Sequence, residues 1–252
     1  MSELAPQILR FDSLPSTNLE AARRAVEGAP EGLCVVASEQ TAGRGRHRRR
    51  WVSPRDAGLY FSIILRPRFE QSGWPLLSLM AAIAVHDVLL ELFSLETDIK
   101  WPNDILVNEK KLCGILAETV ETSAGRAVVV GIGINLTCKS FSPDLDELAS
   151  SVEATTGKKP DSGVVIEALV RFLMTHYQLL QQPGGQEVIV REWCARSSYA
   201  IGKRIRVNED DESFSGTTRG LETDGALRVE TDDGEIRVLR AGDVTVVRPL
   251  SA

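Results

Sequence analysis

Asp98 to Leu136 read DIKWPNDILVNEKKLCGILAETVETSAGRAVVVGIGINL, in which three apolar segments alternate with two short turns, Asn108 to Lys110 and Thr122 to Gly125. The segments DIKWPNDILV, KLCGILAETVE and RAVVVGIGINL are strand-length and rich in β-branched residues, so the spacing predicts a sheet meander. Outward from it, ILRFD (Ile8 to Asp12), LCVVASE (Leu33 to Glu39) and GLYFSIIL (Gly58 to Leu65) add strands. A helix is expected from about Asn18 to Glu27, with Thr17 and Glu20 as a capping box and Gly28 as its end. Pro75 opens a longer helix to about Phe93, its inner face formed by Leu76, Leu79, Met80, Ile83 and Leu90.

Past the meander, a helical stretch from Ser162 to Gln181 is broken by Pro183, Gly184 and Gly185, and a shorter helix runs toward Arg196. From Gly202 the texture changes to five short alternating segments, KRIRVN, FSGTTRGL, ALRVE, EIRVL and VTVVR, parted by turns such as Asp232-Asp233-Gly234. These predict a small β-barrel. The fold class expected is α/β, in the α+β sense: a mixed-sheet domain over residues 1–197 and a small barrel over 198–252.

With 252 residues, 43% hydrophobic and 25% charged, the chain has the composition of a folded globular protein rather than a disordered or fibrous one. Cys34, Cys113, Cys138 and Cys194 form no CxxC pair, which fits a reducing cytosol. The N-terminus lacks a signal-peptide pattern and no apolar run approaches the roughly 18 residues of a membrane span, so a cytoplasmic protein is expected. Net charge is −6, yet Arg44, Arg46, Arg48, Arg49 and Arg50 place five positive charges within TAGRGRHRRRW, leaving −11 on the remainder. A local cationic loop on an acidic protein of pI about 5.3 suits a small anion better than a nucleic-acid backbone.

That loop reads either as an anion cradle, with Gly43 and Gly45 freeing backbone N–H groups and Arg44 and Arg46 as bidentate donors, or as a solvated basic turn. It is no dinucleotide fingerprint, because Arg48 replaces the third glycine and a strand follows, not a helix. In KWPNDILVNEKKLCGIL, Pro102 fixes Asn103 and Asp104 at a strand junction; Asp104 either orients an amine, takes its proton, helps hold magnesium, or is a turn residue. Lys111 is a candidate inward charge for a phosphate. GIGINL offers close backbone approach and the amide of Asn135, or simply a tightly packed strand. The hydroxyls of LPSTN cap a helix and are also suited to a small polar head group. His47, His86 and His176 are scattered, with no zinc-site spacing, and no GxSxG or GxxxxGK[ST] motif is present.

In this order and spacing, STN, EQTAGRGRHRRRW, KWPNDILV, KKLCGIL and GIGIN closely resemble the biotin protein ligases, also called biotin–[acetyl-CoA-carboxylase] ligases. The resemblance spans nearly the whole chain and implies a catalytic domain related to that of lipoate ligases, followed by a barrel like Src-homology-3. It implies that ATP, with magnesium, converts biotin to biotinoyl-5′-AMP, and that biotin then passes to a lysine of a biotin carboxyl carrier domain. By the same resemblance, Ser16, Thr17, Asn18 and Gln40 hold biotin's ring, Arg44, Gly45 and Arg46 close over biotin and adenylate, and Gly114 lies on the biotin side. Lys111 sits against the reacting carboxylate and α-phosphate, with Arg46 and Asp104 as its catalytic companions. Arg49, Asn103, Asp104 and Asn135 fall on the ATP side, while the metal ligands are left unassigned. Trp51 is read as stacking or as an anchor for the next strand.

Arg48 departs from the family, which often has glycine there. About ten residues precede the first motif, so a ligase without the DNA-binding repressor domain of some relatives is expected, with a homodimer compatible. A lipoate or octanoate ligase and, in another class, a nucleic-acid-binding module are the rival readings.

Overall fold

A computed structural model describes residues 6–141, 145, 147–209, 212–240 and 242–246. Strands β1 (Ile8–Phe11), β2 (Cys34–Ala37), β3 (Gly58–Leu65), β4 (Asp98–Lys100), β5 (Asp104–Val107), β6 (Lys110–Thr122) and β7 (Gly125–Asn135) form one mixed sheet in the order β1-β2-β3-β7-β6-β5-β4. Only the β1–β2 pair is parallel. The meander is present, but DIKWPNDILV is two strands, turning at the cis Trp101–Pro102 bond.

Alternation along the central strands divides the sheet into two faces. Phe61, Ile63 and Leu65 of β3 and Val128, Val130, Ile132 and Ile134 of β7 point to the larger core, shared with helices α2 (Leu76–Phe93), α4 (Ser162–Leu180) and α5 (Gly185–Ala195). Ile64, Ala127 and Val129 point the other way, to Ala21 and Ala25 of α1 (Thr17–Val26). The functional face is this second one, because the start of α1 lies over it. Each fully buried leucine or isoleucine contributes about 1.5–3 kcal/mol through its removal from water.

Several expectations change. Thr17 is inside α1, not its cap: Ser16 is the N-cap without a side-chain hydrogen bond, and Glu20 pairs with Arg23 and Arg24, so no capping box forms. Leu90 is 43% exposed, lying off the buried stripe of α2. A short helix α3 (Val152–Thr156), capped by Ser151, was not foreseen. Both α2 with its preceding turn (Gln71–Phe93) and α4 are long and apolar enough to cross a membrane by composition, but 67% and 50% of their apolar windows are buried inside the molecule, as in core helices.

The C-terminal strands β8 (Ile201–Glu209), β9 (Glu212–Leu221), β10 (Leu227–Thr231), β11 (Ile236–Leu239) and β12 (Asp243–Val246) make an antiparallel sheet ordered β11-β10-β9-β8-β12. It stands against the β4–β5 end of the large sheet, where the Trp101 indole donates to the Gly225 carbonyl at 3.0 Å. Ile205, Val207, Leu227, Val229, Leu239 and Val244 join the same core cluster as α2.

Candidate functional site

A cavity of 290 Å³ opens on the α1 face of the large sheet. Its wall contains every site residue expected from the sequence: Ser16, Thr17 and Asn18 from the start of α1, Gln40, Arg44, Gly45, Arg46 and Arg49 from the β2–β3 connection, Asn103 and Asp104 from the β4–β5 junction, Lys111 and Gly114 from β6, and Asn135 from the end of β7.

Lys111 reaches this face through an irregularity. By strict alternation it would point away from Gly114, Leu116 and Glu118, but between Ile105 and Leu106 of β5 the partner strand advances from Cys113 to Lys111, one residue too many. This β-bulge at Leu112 turns Lys111 onto the cavity face. There its Nζ stands 2.6 Å from Asp104 Oδ1 and 5.4 Å from the centre of the Trp51 ring. Because the bulge takes up one residue, Lys111 to Leu116 is four ladder steps, about 13 Å at ~3.3 Å per step.

At the far end of that span uncharged polar side chains are linked together, with the Arg44–Glu118 ion pair beyond them. Thr17 donates to Gln40 Oε1 through its N–H at 2.8 Å and its hydroxyl at 3.1 Å, and Gln40 Nε2 donates to Ser53 Oγ at 2.8 Å. Asn18 Nδ2 donates to the Leu116 carbonyl at 3.2 Å, and Ser62 Oγ donates to Asn18 Oδ1 at 2.6 Å. Gly131, Gly133 and Asn135 alternate onto the same face of β7. A Cβ at Gly131 would collide with Asn18 Oδ1, and one at Gly133 would lie 2.6 Å from Trp51 Nε1, so glycine at both positions is required by close approach. Trp51 packs over Gly133 and over Gly114, its register partner, and its buried N–H has no acceptor among the described residues.

The arginine segment is a hairpin. Gly45 N–H donates to the Arg49 carbonyl at 2.8 Å, Trp51 N–H to Gly43 at 3.0 Å, and Arg49 N–H closes the tip on Arg46 at 3.0 Å. His47 and Arg48 both have positive φ, 51° and 60°, as the two central residues of a type I′ turn do. The glycine common at the Arg48 position in the resembling family is what such a turn prefers. From the hairpin, Arg46 Nη1 reaches Asn103 Oδ1 at 3.4 Å and the Gly242 carbonyl of the C-terminal sheet at 3.3 Å.

Arg44, Arg46, Arg49, Arg50 and Lys111 thus line the cavity, and among the described lining residues Asp104 supplies the one carboxylate. The arrangement is suited to an anion at the Lys111 end and to a neutral polar group at the Asn18 end. Sequence reasoning missed the wall supplied by Ser140, Phe141, Leu145, Leu148 and Ala149, which carries no motif; Lys111 N–H donating to the Leu148 carbonyl at 2.8 Å fixes part of it. It also missed Glu118, whose contacts depend on a hairpin fold invisible in the chain order. Among the described residues no group of three or more His, Cys, Asp and Glu could hold a metal ion.

The chain belongs to the biotin/lipoate A/B protein ligase family, whose profile matches residues 9–135, and residues 200–247 match the biotin protein ligase C-terminal domain. Within that family it is 37% identical over 246 residues to the bifunctional ligase/repressor BirA of Bacillus subtilis, covering 96% of this chain and 74% of the relative. It is 34% identical over 239 residues to the biotin–[acetyl-CoA-carboxylase] ligase of Mycobacterium tuberculosis, covering 92% and 86%. Among solved structures, the biotin protein ligase from Aquifex aeolicus in complex with biotin and ATP superposes with a TM-score of 0.83 at 26% identity, covering 96% of this chain and 99% of that one.

Proposed function

We propose that this protein is a biotin–[acetyl-CoA-carboxylase] ligase, which activates biotin with ATP and transfers it to a lysine of a biotin carboxyl carrier domain. The observation that carries the proposal is that one cavity holds a neutral polar cluster and the Lys111 ammonium about 13 Å apart along β6. A ligand spanning it needs a polar uncharged head, an apolar body and an anionic tail, which describes biotin's ureido ring and carboxylate side chain. The family membership and the relatives' activities support the same reading.

In this reading Ser16, Thr17, Asn18 and Gln40 take the ring, and Gly114 lets Trp51 settle close on β6 beside the chain. A carboxylate oxygen then attacks the α-phosphorus of ATP, and the bond to pyrophosphate breaks. Two anions must approach, so Lys111 and Arg46 offset their repulsion and stabilise the charge that builds on the α-phosphate of the transferring adenylyl group. Asp104, 2.6 Å from Lys111, orients the ammonium. Arg49, Asn103 and Asn135 serve the nucleotide, with Phe141, Leu145 and Leu148 as an apolar wall for a flat base. In the second step a carrier lysine amine attacks the acyl carbon and AMP leaves. For magnesium the described lining offers Asp104 and the Asn103 amide, which would suit an ion that keeps water and phosphate oxygens as its remaining ligands. Bound there, it neutralises phosphate charge. The division at 197/198 belongs to this proposal, supported by the two separate family matches, as does a cytosolic location, where free thiols stay reduced.

The test is ATP–pyrophosphate exchange by the purified protein, expected only when biotin, ATP and magnesium are all present. Absence of biotin-dependent exchange would sink the proposal. Exchange supported by lipoate or octanoate in place of biotin would move it to the sister activity.

A further inference from the structure

Glu118 lies on β6, on the cavity face four residues beyond Gly114. Its carboxylate accepts three hydrogen bonds: Arg44 Nη2 to Oε1 at 2.8 Å, Arg44 Nη1 to Oε2 at 3.2 Å, and Asn18 Nδ2 to Oε2 at 2.9 Å. An isolated surface ion pair holds little. Here, however, a two-pronged guanidinium–carboxylate fork is fixed by a third donor from a buried asparagine, which gives it direction as well as charge.

The contacts continue on both sides. Asn18 is held by Ser62, whose Oγ lies 2.8 Å from Thr17 Oγ1; Thr17 is held on Gln40, and Gln40 on Ser53. Gln40 and Ser53 are the two feet of the arginine hairpin, and the Gln40 N–H donates to the Ser53 carbonyl at 3.2 Å. An unbroken polar path therefore runs from the feet of the hairpin, through the cluster assigned to the ligand's head, to Arg44 on its arm.

We propose that Glu118 is a positioning residue that latches the arginine hairpin over the cavity by holding Arg44, and that through Asn18 it ties the latch to the head-group cluster. The latch itself stands on the geometry; only its kinetic consequence rests on the ligase reading. With Glu118 neutralised, Arg44 loses its fork, and the arm of the hairpin loses its tie to β6 while its feet keep theirs.

Trypsin measures this without any substrate, because the hairpin carries its cleavage sites. Glu118→Gln and Arg44→Gln are each expected to speed cleavage after Arg46 to Arg50 by about tenfold, the loss of a pair coupled by about 1.4 kcal/mol. The double variant should be cut no faster than either single one, and Glu118→Asp should keep most of the protection. In pyrophosphate exchange, Glu118→Gln should raise the biotin KM severalfold with kcat within about twofold, and preformed adenylate should escape faster. Unchanged cleavage in both single variants, or additive effects in the double, overturns the latch. If Glu118→Gln alone fails to fold, Arg44→Gln decides the same point from the other side. A wild type without exchange removes the ligase reading and leaves cleavage to judge the latch.

Discussion

Lys111 is the side chain on which the proposed chemistry turns most directly. Its ammonium meets Asp104 and the Trp51 face, at the end of the cavity away from the polar cluster. Replacing it with alanine should therefore slow adenylate formation by about 10²–10³-fold, the usual loss when one donor to developing charge is removed, with a much smaller change in biotin affinity. Single-turnover adenylation and calorimetric biotin titration separate the two, and equal loss in both would contradict the role. Arg48 allows a different kind of test. At φ 60° a Cβ is strained, so Arg48→Gly should protect the hairpin from proteolysis relative to Arg48→Ala, by about 1 kcal/mol in opening free energy. Both variants remove the same charge. A glycine variant less protected than alanine would show that the turn is not the one described.

The elements were largely legible in the chain because strand alternation and helix periodicity are local properties. The meander, the Pro75 helix and the five C-terminal strands all follow from that pattern. What could not be read was each place where an element breaks its own period. The bulge at Leu112 inverts the parity of β6 and delivers Lys111 to the cavity, while the hydroxyl of Thr17 leaves the helix start to join Gln40. Regularising the ladder with Leu112 kept in register would turn the lysine away, so pairing and chemistry pull in opposite directions at that point. At the same scale, α2 carries a pH sensitivity. Burial pushes His86 below its ordinary value near 6.5, only partly opposed by the charge of Asp87, while His86 Nδ1 lies 2.9 Å from Thr97 Oγ1. The unfolded chain then binds a proton that the folded one resists, so stability is whole above pH 6.5 and declines as pH falls through that value. The drop in thermal midpoint between pH 7.5 and 5.5 should shrink in His86→Gln; an unchanged drop would exclude His86 as its source.

Across the whole molecule, one apolar cluster runs from β3 and β7 through α2 into β8, β10 and β12. Unfolding the C-terminal sheet by itself would expose leucines and valines on both sides of the joint, so calorimetry should show one cooperative transition, with van't Hoff and calorimetric enthalpies equal. Two resolved transitions would mean that the joint contributes little. The contact between Arg46 and the Gly242 carbonyl crosses that joint over 196 positions of sequence. On a ribosome, every expected wall residue from Ser16 to Asn135 emerges long before Gly242 does. A growing chain thus carries every one of those residues before one restraint on Arg46 exists, and synthesis of the final strands is what completes the proposed guard.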